Sequence, residues 1–321
     1  MPDGIVKKDD QVKIQEAGNF YTSFIAYTRY LFTRVTDKNA LEINSISQRV
    51  KMVWNTVRYD RRFLMRVHHH TEHTNDENYI ASHSARATII AMIIGTYFKL
   101  PNHRLVELGT ATLLHDIGMF MLPPRLYMSG QALSDQEKKL LYTHPVQGYK
   151  ILQSHNYPPS ICLAVLEHHE RENGSGYPRS LTGDSISQYG KIIAVACSYD
   201  ALSAKRPHKE AKDHHTGIME LLNNEGRRYD STVVRALVYS LSIYPIGSYV
   251  FLSSSEKGQV VDVNPENPRY PIVQILETPK PWEKNRTVQT SYHEVSIVRL
   301  LTPEEISVLT TSNKPPLLFG W

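Results

Sequence analysis

Cysteine is scarce: the 321 residues carry two, Cys162 and Cys197. Two cysteines make no disulfide framework, and their scarcity fits a reducing compartment. Long apolar runs are missing as well. The most apolar stretch, "ATIIAMIIGTYF" (87–98), is too short to cross a bilayer and is bounded by polar residues. The first residues, "MPDGIVKKDDQVKIQEAG", lack an apolar core of the signal-peptide kind. A cytoplasmic protein with no membrane span is expected. There is no Lys/Arg block, and the formal net charge of +4 is mild for this length. A nucleic-acid polymer is therefore not an expected partner, whereas a small anionic ligand is compatible. Internal repeats are absent. Residues 1–70 hold no acidic cluster with a phosphoacceptor Asp and matching strands, which argues against a receiver domain.

The chain is long enough for two or three compact units. Residues from about 11 to 70 mix polar and apolar positions at helical spacing, and helical packing is the expected role of this N-terminal segment. "HHHTEH" (68–73) reads as a solvated linker. A series of helices follows. Asn75 or Asp76 is a good cap for the first and Asn102 for the second, which Gly118 should stop. Ser134 and Glu137 form a capping box, and Pro145 can open the next helix. From about residue 244 the segments become short, β-branched and turn-punctuated, in about five strands' worth of sequence. The expected fold is mainly α: an N-terminal helical segment (1–70), a helical bundle (71–242) and a small β-rich C-terminal subdomain (243–321).

Histidine is plentiful, with 15 residues. His83, the doublet His115-Asp116, His144, the doublet His168-His169, Cys197 and Asp200 each fall within or at the end of an expected helix. A lone buried histidine is ordinarily a hydrogen-bonded core residue. A buried imidazole beside a carboxylate, however, costs on the order of several kcal/mol unless both are satisfied. Ligands converging from several helices build metal sites inside bundles. Imidazole with carboxylate suits Mn, Fe, Zn or Ni better than Mg or Ca. Neighbouring doublets suggest two metals, and a pair about 3.5–4 Å apart clamps phosphate oxygens and activates water. Spacing alone thus points to a helical metallohydrolase with a phosphoester substrate. After the second doublet, Gly174 and Gly176 make a tight loop that presents Tyr177 and exits through Pro178.

"ASHSARA", "LLHDIG", "THPVQGYKIL", "EHHERENGSGYP" and "YDALSAKRPHKEA" occur in the order found in the HD-GYP family, which the chain closely resembles over about residues 75–240. The β-rich tail beginning "YPIGSYVFL" is similar to one that follows this domain in some members. The resemblance implies an HD-type helical bundle that hydrolyses cyclic di-GMP. It implies that His83, His115, Asp116, His144, His168 and His169 ligate metal, with the catalytic Asp116 bridging two ions. It matches Tyr177 to the tyrosine of the Gly-Tyr-Pro loop, a catalytic and substrate-binding position. It matches Asp200 to a residue behind the ligands or on the substrate side, and Arg206 and Lys209 to basic residues that hold substrate phosphate. The implied cofactors are two transition-metal ions, Fe or Mn foremost, with Zn or Ni allowed. The implied ligand is cyclic di-GMP or a related nucleotide, with protein partners in that signalling and a homodimer compatible.

Three positions depart from the family pattern. Met119 stands where the family motif His-Asp-x-Gly-Lys has lysine, and methionine offers neither charge nor donor. Loss of one such stabiliser can cost about 10²–10³ in rate, by analogy with an oxyanion-hole donor. Arg125, a few residues on, is a candidate replacement. Cys197 stands where the family has a metal-ligating aspartate. It is either a softer thiolate ligand, at home with Zn or Fe, or a small buried cysteine on a helix face. Tyr79 replaces a glutamate that supports a third metal in some members, so two metals at most are expected. Two readings result: a working phosphodiesterase, or an impaired relative that acts as a cyclic di-GMP sensor or protein-interaction scaffold.

Overall fold

A computed structural model describes residues 8–35, 41–70, 79–128, 131–203, 214–279 and 286–312. Its helices are α1 (Lys8–Thr33), α2 (Ile43–His70), α3 (Tyr79–Tyr97), α4 (Asn102–Leu113), α5 (Arg125–Met128), α6 (Asp135–Leu141), α7 (His144–Ser154), α8 (Pro159–Glu167), α9 (Gln188–Ser203), α10 (His214–Asn223), α11 (Ser231–Leu241) and α12 (Pro303–Ser312). Its strands are β1 (Tyr249–Leu252), β2 (Lys257–Asp262), β3 (Ile272–Glu277), β4 (Thr287–Gln289) and β5 (Ile297–Leu300). The fold is mainly α with a small C-terminal sheet. The chain divides into two compact units, one drawn from Met1–Tyr21, Asp60–Thr71 and Val238–Trp321, the other from Thr22–Tyr59 and Glu72–Leu237.

In the larger unit α3 is the central helix. Every residue from Ile80 to Gly95 is buried, because the helix is apolar all round and has no face to give to water. It packs against α4 and α9, while α8 packs against α4, α7 and α9. The Ser134–Glu137 capping box opens α6, with Glu137 Oε2 accepting from Ser134 N at 2.9 Å, and Pro145 lies in the first turn of α7.

Three local expectations are corrected. Pro101, in extended conformation, is the N-cap of α4, and Asn102 is already inside it. Helix α4 ends at Leu113, so His115 and Asp116 lie in a turn that leads into a 3-10 helix, Ile117–Met121. Gly118 is therefore not a stop but a point of contact. A Cβ there would come 2.0 Å from His144 O and 2.6 Å from Gly148 N, closer than any carbon side chain can sit. His68–His70 end α2 rather than forming a linker. Residues 71–78, with Asn75 and Asp76, lie outside the described residues.

In the other unit the five strands form one antiparallel sheet in the order β4-β3-β2-β1-β5. Alternation puts Val250, Leu252, Val260, Val273 and Ile275 on its buried face. Helix α12 follows the sheet and has no counterpart in the sequence reading. Among the described residues, no helix is long and apolar enough to cross a membrane.

Candidate metal centre

Five segments of the helical unit bring the chemistry-bearing side chains together. Helix α3 supplies His83, the turn after α4 supplies His115 and Asp116, and the start of α7 supplies His144. The residues after α8 supply His168 and His169, and α9 supplies Cys197. Their donor atoms fall into two groups, each with all atoms within 4.8 Å of one another: His83, His115 and Cys197, and Asp116, His144, His168 and His169. The His115-Asp116 doublet is split, one residue to each group, and its Nε2–Oδ2 separation is 3.1 Å. The other carboxylate oxygen of Asp116 lies 3.3 Å from His144 Nε2 and 3.6 Å from His168 Nε2. Cys197 Sγ lies 3.4 Å from His115 Nε2.

The backbone decides which nitrogen each imidazole presents. Nδ1 of His115, His144 and His168 lies 2.7, 2.8 and 2.7 Å from the carbonyl oxygens of Thr112, Leu141 and Val165. Only an N–H can make that contact, so each Nδ1 carries a proton and each Nε2 faces inward, where it presents a lone pair once any proton on it is lost. His83 is oriented by a carboxylate instead. Its Nδ1 is 2.6 Å from Asp200 Oδ2, and Asp200 in turn accepts from Arg86 Nε at 2.5 Å and Nη2 at 3.0 Å. Asp200 is fully buried behind His83 and is not among the residues that line the adjacent cavity.

A metal ion suits these residues. His144 Nε2 and His168 Nε2 are 3.3 Å apart, deeply buried, with their Nδ1 atoms already committed. Two lone pairs facing one another at that distance call for a cation between them. A proton is not that cation on His168, whose pKa is pulled down to about 3, chiefly by burial. Burial and the neighbouring His168 and His144 also hold His169 well below its usual range. Asp116 is the opposite case. Burial raises it, but the charge of His115, and then its hydrogen bond, leave it well below the carboxylate range. Burial lowers His115, yet Asp116 and Cys197 raise it well above its ordinary value. Burial likewise raises the Cys197 thiol, but His115 and then His83 bring it down to about 7. The thiolate is thus accessible near neutrality.

The loop after His169 is fastened to this frame. Glu170 accepts from Arg179 N at 2.7 Å and Leu181 N at 2.9 Å. Glu167 accepts from Ser187 N at 2.8 Å and pairs with the Arg179 guanidinium. At Gly176 a Cβ would lie 2.5 Å from Arg171 N, Glu170 Cα and His169 O, so the loop can close only on glycine. This places Tyr177 against His169, with ring centroids 4.6 Å apart and near-parallel, and Tyr142 stacks on Tyr177 at 4.2 Å. A ring engaged in this way offers its hydroxyl rather than its face. Burial raises that hydroxyl's pKa far above the usual phenol, so it stays protonated.

A cavity of about 450 Å³ opens beside the donors, within the range of small-molecule sites. His83, His115, Asp116, His168, His169 and Cys197 line it, as do Tyr79, Met119 and Arg171. Arg125 does not line it; the side chain is 72% exposed and pairs with Glu137 at 2.9 Å, which sets it aside as a replacement for the missing lysine. Arg206 and Lys209 lie outside the described residues. Two residues escaped the sequence reading. Arg86 is one turn after His83 on α3, and an arginine inside an otherwise apolar helix was its available signal. Arg171 follows the second doublet and has no periodic signature.

A helical bundle that gathers a His-Asp doublet with further histidines around a buried donor cluster defines a protein of the HD class. The chain belongs to the HD-domain family, whose profile matches residues 65–233, and with its Gly-Tyr-Pro loop to the HD-GYP branch. A Borreliella burgdorferi protein named cyclic di-GMP phosphodiesterase is 29% identical over 238 residues, covering 72% of this chain and 62% of that protein. A Pseudomonas aeruginosa protein of the same designation is 32% identical over 204 residues, 63% of this chain and 49% of that protein. A Vibrio cholerae 3′3′-cGAMP-specific phosphodiesterase is 29% identical over 167 residues, 52% of this chain and 36% of that protein. The chain thus spans between about a third and two thirds of the length of these relatives. In fold it is similar to an HDG"Y"P protein from Bdellovibrio bacteriovorus, with a TM-score of 0.59, 17% identity and 73% of each chain covered.

Proposed function

We propose that the chain is a metal-dependent phosphodiesterase that opens cyclic di-GMP. Its chemistry is carried by residues 71–242, with residues 1–70 and 243–321 as accessory segments. The observation that carries this reading is the pair of adjacent buried donor groups, divided across His115 and Asp116 and facing one cavity. Relatives named for cyclic dinucleotide hydrolysis support the substrate class. In this reading His83, His115 and Cys197 would hold one transition-metal ion and Asp116, His144, His168 and His169 a second, with Asp116 the carboxylate nearest both groups. Ions bound there would supply Lewis acidity to the phosphodiester and lower the pKa of an attacking water. Fe suits both groups, Mn the imidazole–carboxylate group, and Zn the group that contains Cys197.

The chain's own side chains set the stage. Asp200, braced by Arg86, holds the His83 ring in position. Tyr177 stacks on the His169 ring and, although it is not among the residues that line the cavity, keeps its hydroxyl protonated. In the overall change a water oxygen adds to phosphorus, the bond to the 3′-oxygen breaks, and a proton ends on that freed oxygen. The product is the linear dinucleotide bearing a 5′-phosphate.

The second reading rests on Met119. It lines the cavity where the family places lysine, and a site that keeps its donors but lacks that charge would bind cyclic di-GMP and signal without turnover. Product analysis separates the two. Cyclic di-GMP is incubated with protein reconstituted anaerobically with Fe or Mn, beside a His115→Ala, Asp116→Ala variant. Linear dinucleotide or GMP from the intact chain alone supports the enzyme. A metal-loaded sample that binds the nucleotide and yields no product supports the sensor.

A further inference from the structure

We propose that Arg171 is the side chain that grips a substrate phosphodiester in the cavity, doing the work for which Met119 has no chemistry. The inference rests on the phosphodiesterase reading of the site. A dinucleotide's phosphates bring negative charge against the buried side chains that line this pocket, and that charge needs a cation beyond any metal. Among the described residues that line the cavity, Arg171 is the sole lysine or arginine.

Its geometry is that of a mounted recognition group. Nη1 donates to the carbonyl oxygens of His168 at 3.3 Å and Glu170 at 2.9 Å. The guanidinium lies 5.1 Å from the centroid of the Tyr229 ring, a stacking contact that holds the plane. These contacts leave the Nε and Nη2 N–H groups with no protein acceptor among the described residues. That edge of a guanidinium is the fork that pairs two phosphate oxygens at once. Because Nη1 is tied to the backbone of the His168 doublet, the fork is held in register with the donor cluster. Its charge reaches the site, where it contributes to the lowered His169 and opposes the rise of the Tyr177 hydroxyl. Arg125, by contrast, is committed to Glu137 in solvent.

The test uses the full, metal-loaded chain and calorimetric binding of inorganic phosphate and of cyclic di-GMP. Four forms are compared: the unaltered chain, Arg171→Gln, Arg171→Lys and Tyr229→Leu. Metal content and thermal unfolding are read on each. A charge-assisted hydrogen bond is worth enough that Arg171→Gln should weaken both ligands by about 10- to 100-fold. Arg171→Lys should recover part of the loss, with metal content unchanged. If turnover is present, Arg171→Gln should raise KM more than it lowers kcat. Unaltered affinity in Arg171→Gln overturns the proposal. So does a loss that follows loss of metal or of the folded state, since either makes the residue a structural brace; Tyr229→Leu, which keeps the guanidinium and removes its stacking partner, should lose less than Arg171→Gln. Arg171-dependent binding of phosphate by a chain that never binds cyclic di-GMP keeps the assignment of Arg171 and overturns the proposed substrate.

Discussion

At the scale of single residues, proton competition governs the donor cluster. In the proposed reading a metal held by the first group would displace the Cys197 proton, and the thiol's pKa of about 7 means that this would cost affinity below neutrality and little above it. His115, raised well above its ordinary value by Asp116 and Cys197, must also give up a proton. Metal affinity should therefore climb as pH rises through about 7 and continue to climb beyond it. In Cys197→Asp the rise near neutrality should flatten, because a carboxylate is already ionised there. Titration with Co²⁺ while following the thiolate-to-metal charge-transfer absorption checks both points, and the band should vanish in the variant. Asp200 allows a second prediction. Replacing it with Asn removes the negative charge that pairs with the buried Arg86 and leaves one acceptor oxygen where two served Arg86 and His83. Breaking a buried pair on one side costs about 3–5 kcal/mol, and loss of the group behind a ligand costs about 10- to 100-fold in metal affinity. Denaturant unfolding and metal titration should show both losses together.

At the scale of elements, two close approaches assemble the site. The 3-10 helix after the His115-Asp116 doublet lies against the start of α7 because Gly118 has no side chain. Gly118→Ala would drive a Cβ into backbone atoms that cannot rotate away. Overpacking of this kind costs about 1–3 kcal/mol or more, and it would separate Asp116 from His144. A lowered unfolding midpoint together with reduced metal content is the expected result. Ser134→Ala makes the contrast. It removes the α6 capping box at a cost of about 1 kcal/mol, away from the donors, and metal content should be unchanged. Measuring both variants side by side distinguishes an element that builds the site from one that only contributes stability.

At the scale of the whole molecule, metal and stability are linked. A ligand that binds only the folded form stabilises it by about 2.7 kcal/mol at a hundred times its Kd. Metal addition should raise, and chelation lower, the thermal transition of the helical unit, with no shift in His115→Ala, Asp116→Ala. All the donors lie in that unit, so a transition that belongs to the β-rich unit should not move. Calorimetry of the full chain with and without metal resolves this.

The sequence alone determined most of the elements and the seven candidate donors. A continuous apolar run revealed α3, the capping box revealed α6, and β-branched runs between turns revealed the sheet, because these signals are local. The doublets were legible for the same reason: an imidazole beside a carboxylate inside an apolar stretch is costly wherever the chain goes. Tertiary structure decided the rest. It divided seven donors into two groups, placed Asp200 between Arg86 and His83, set Arg125 in solvent and Arg171 in the cavity, and made Gly118 a contact. Each of those facts depends on which segments meet across distances of tens of residues. Burial and close approach arise only when the segments meet, and no local pattern records them.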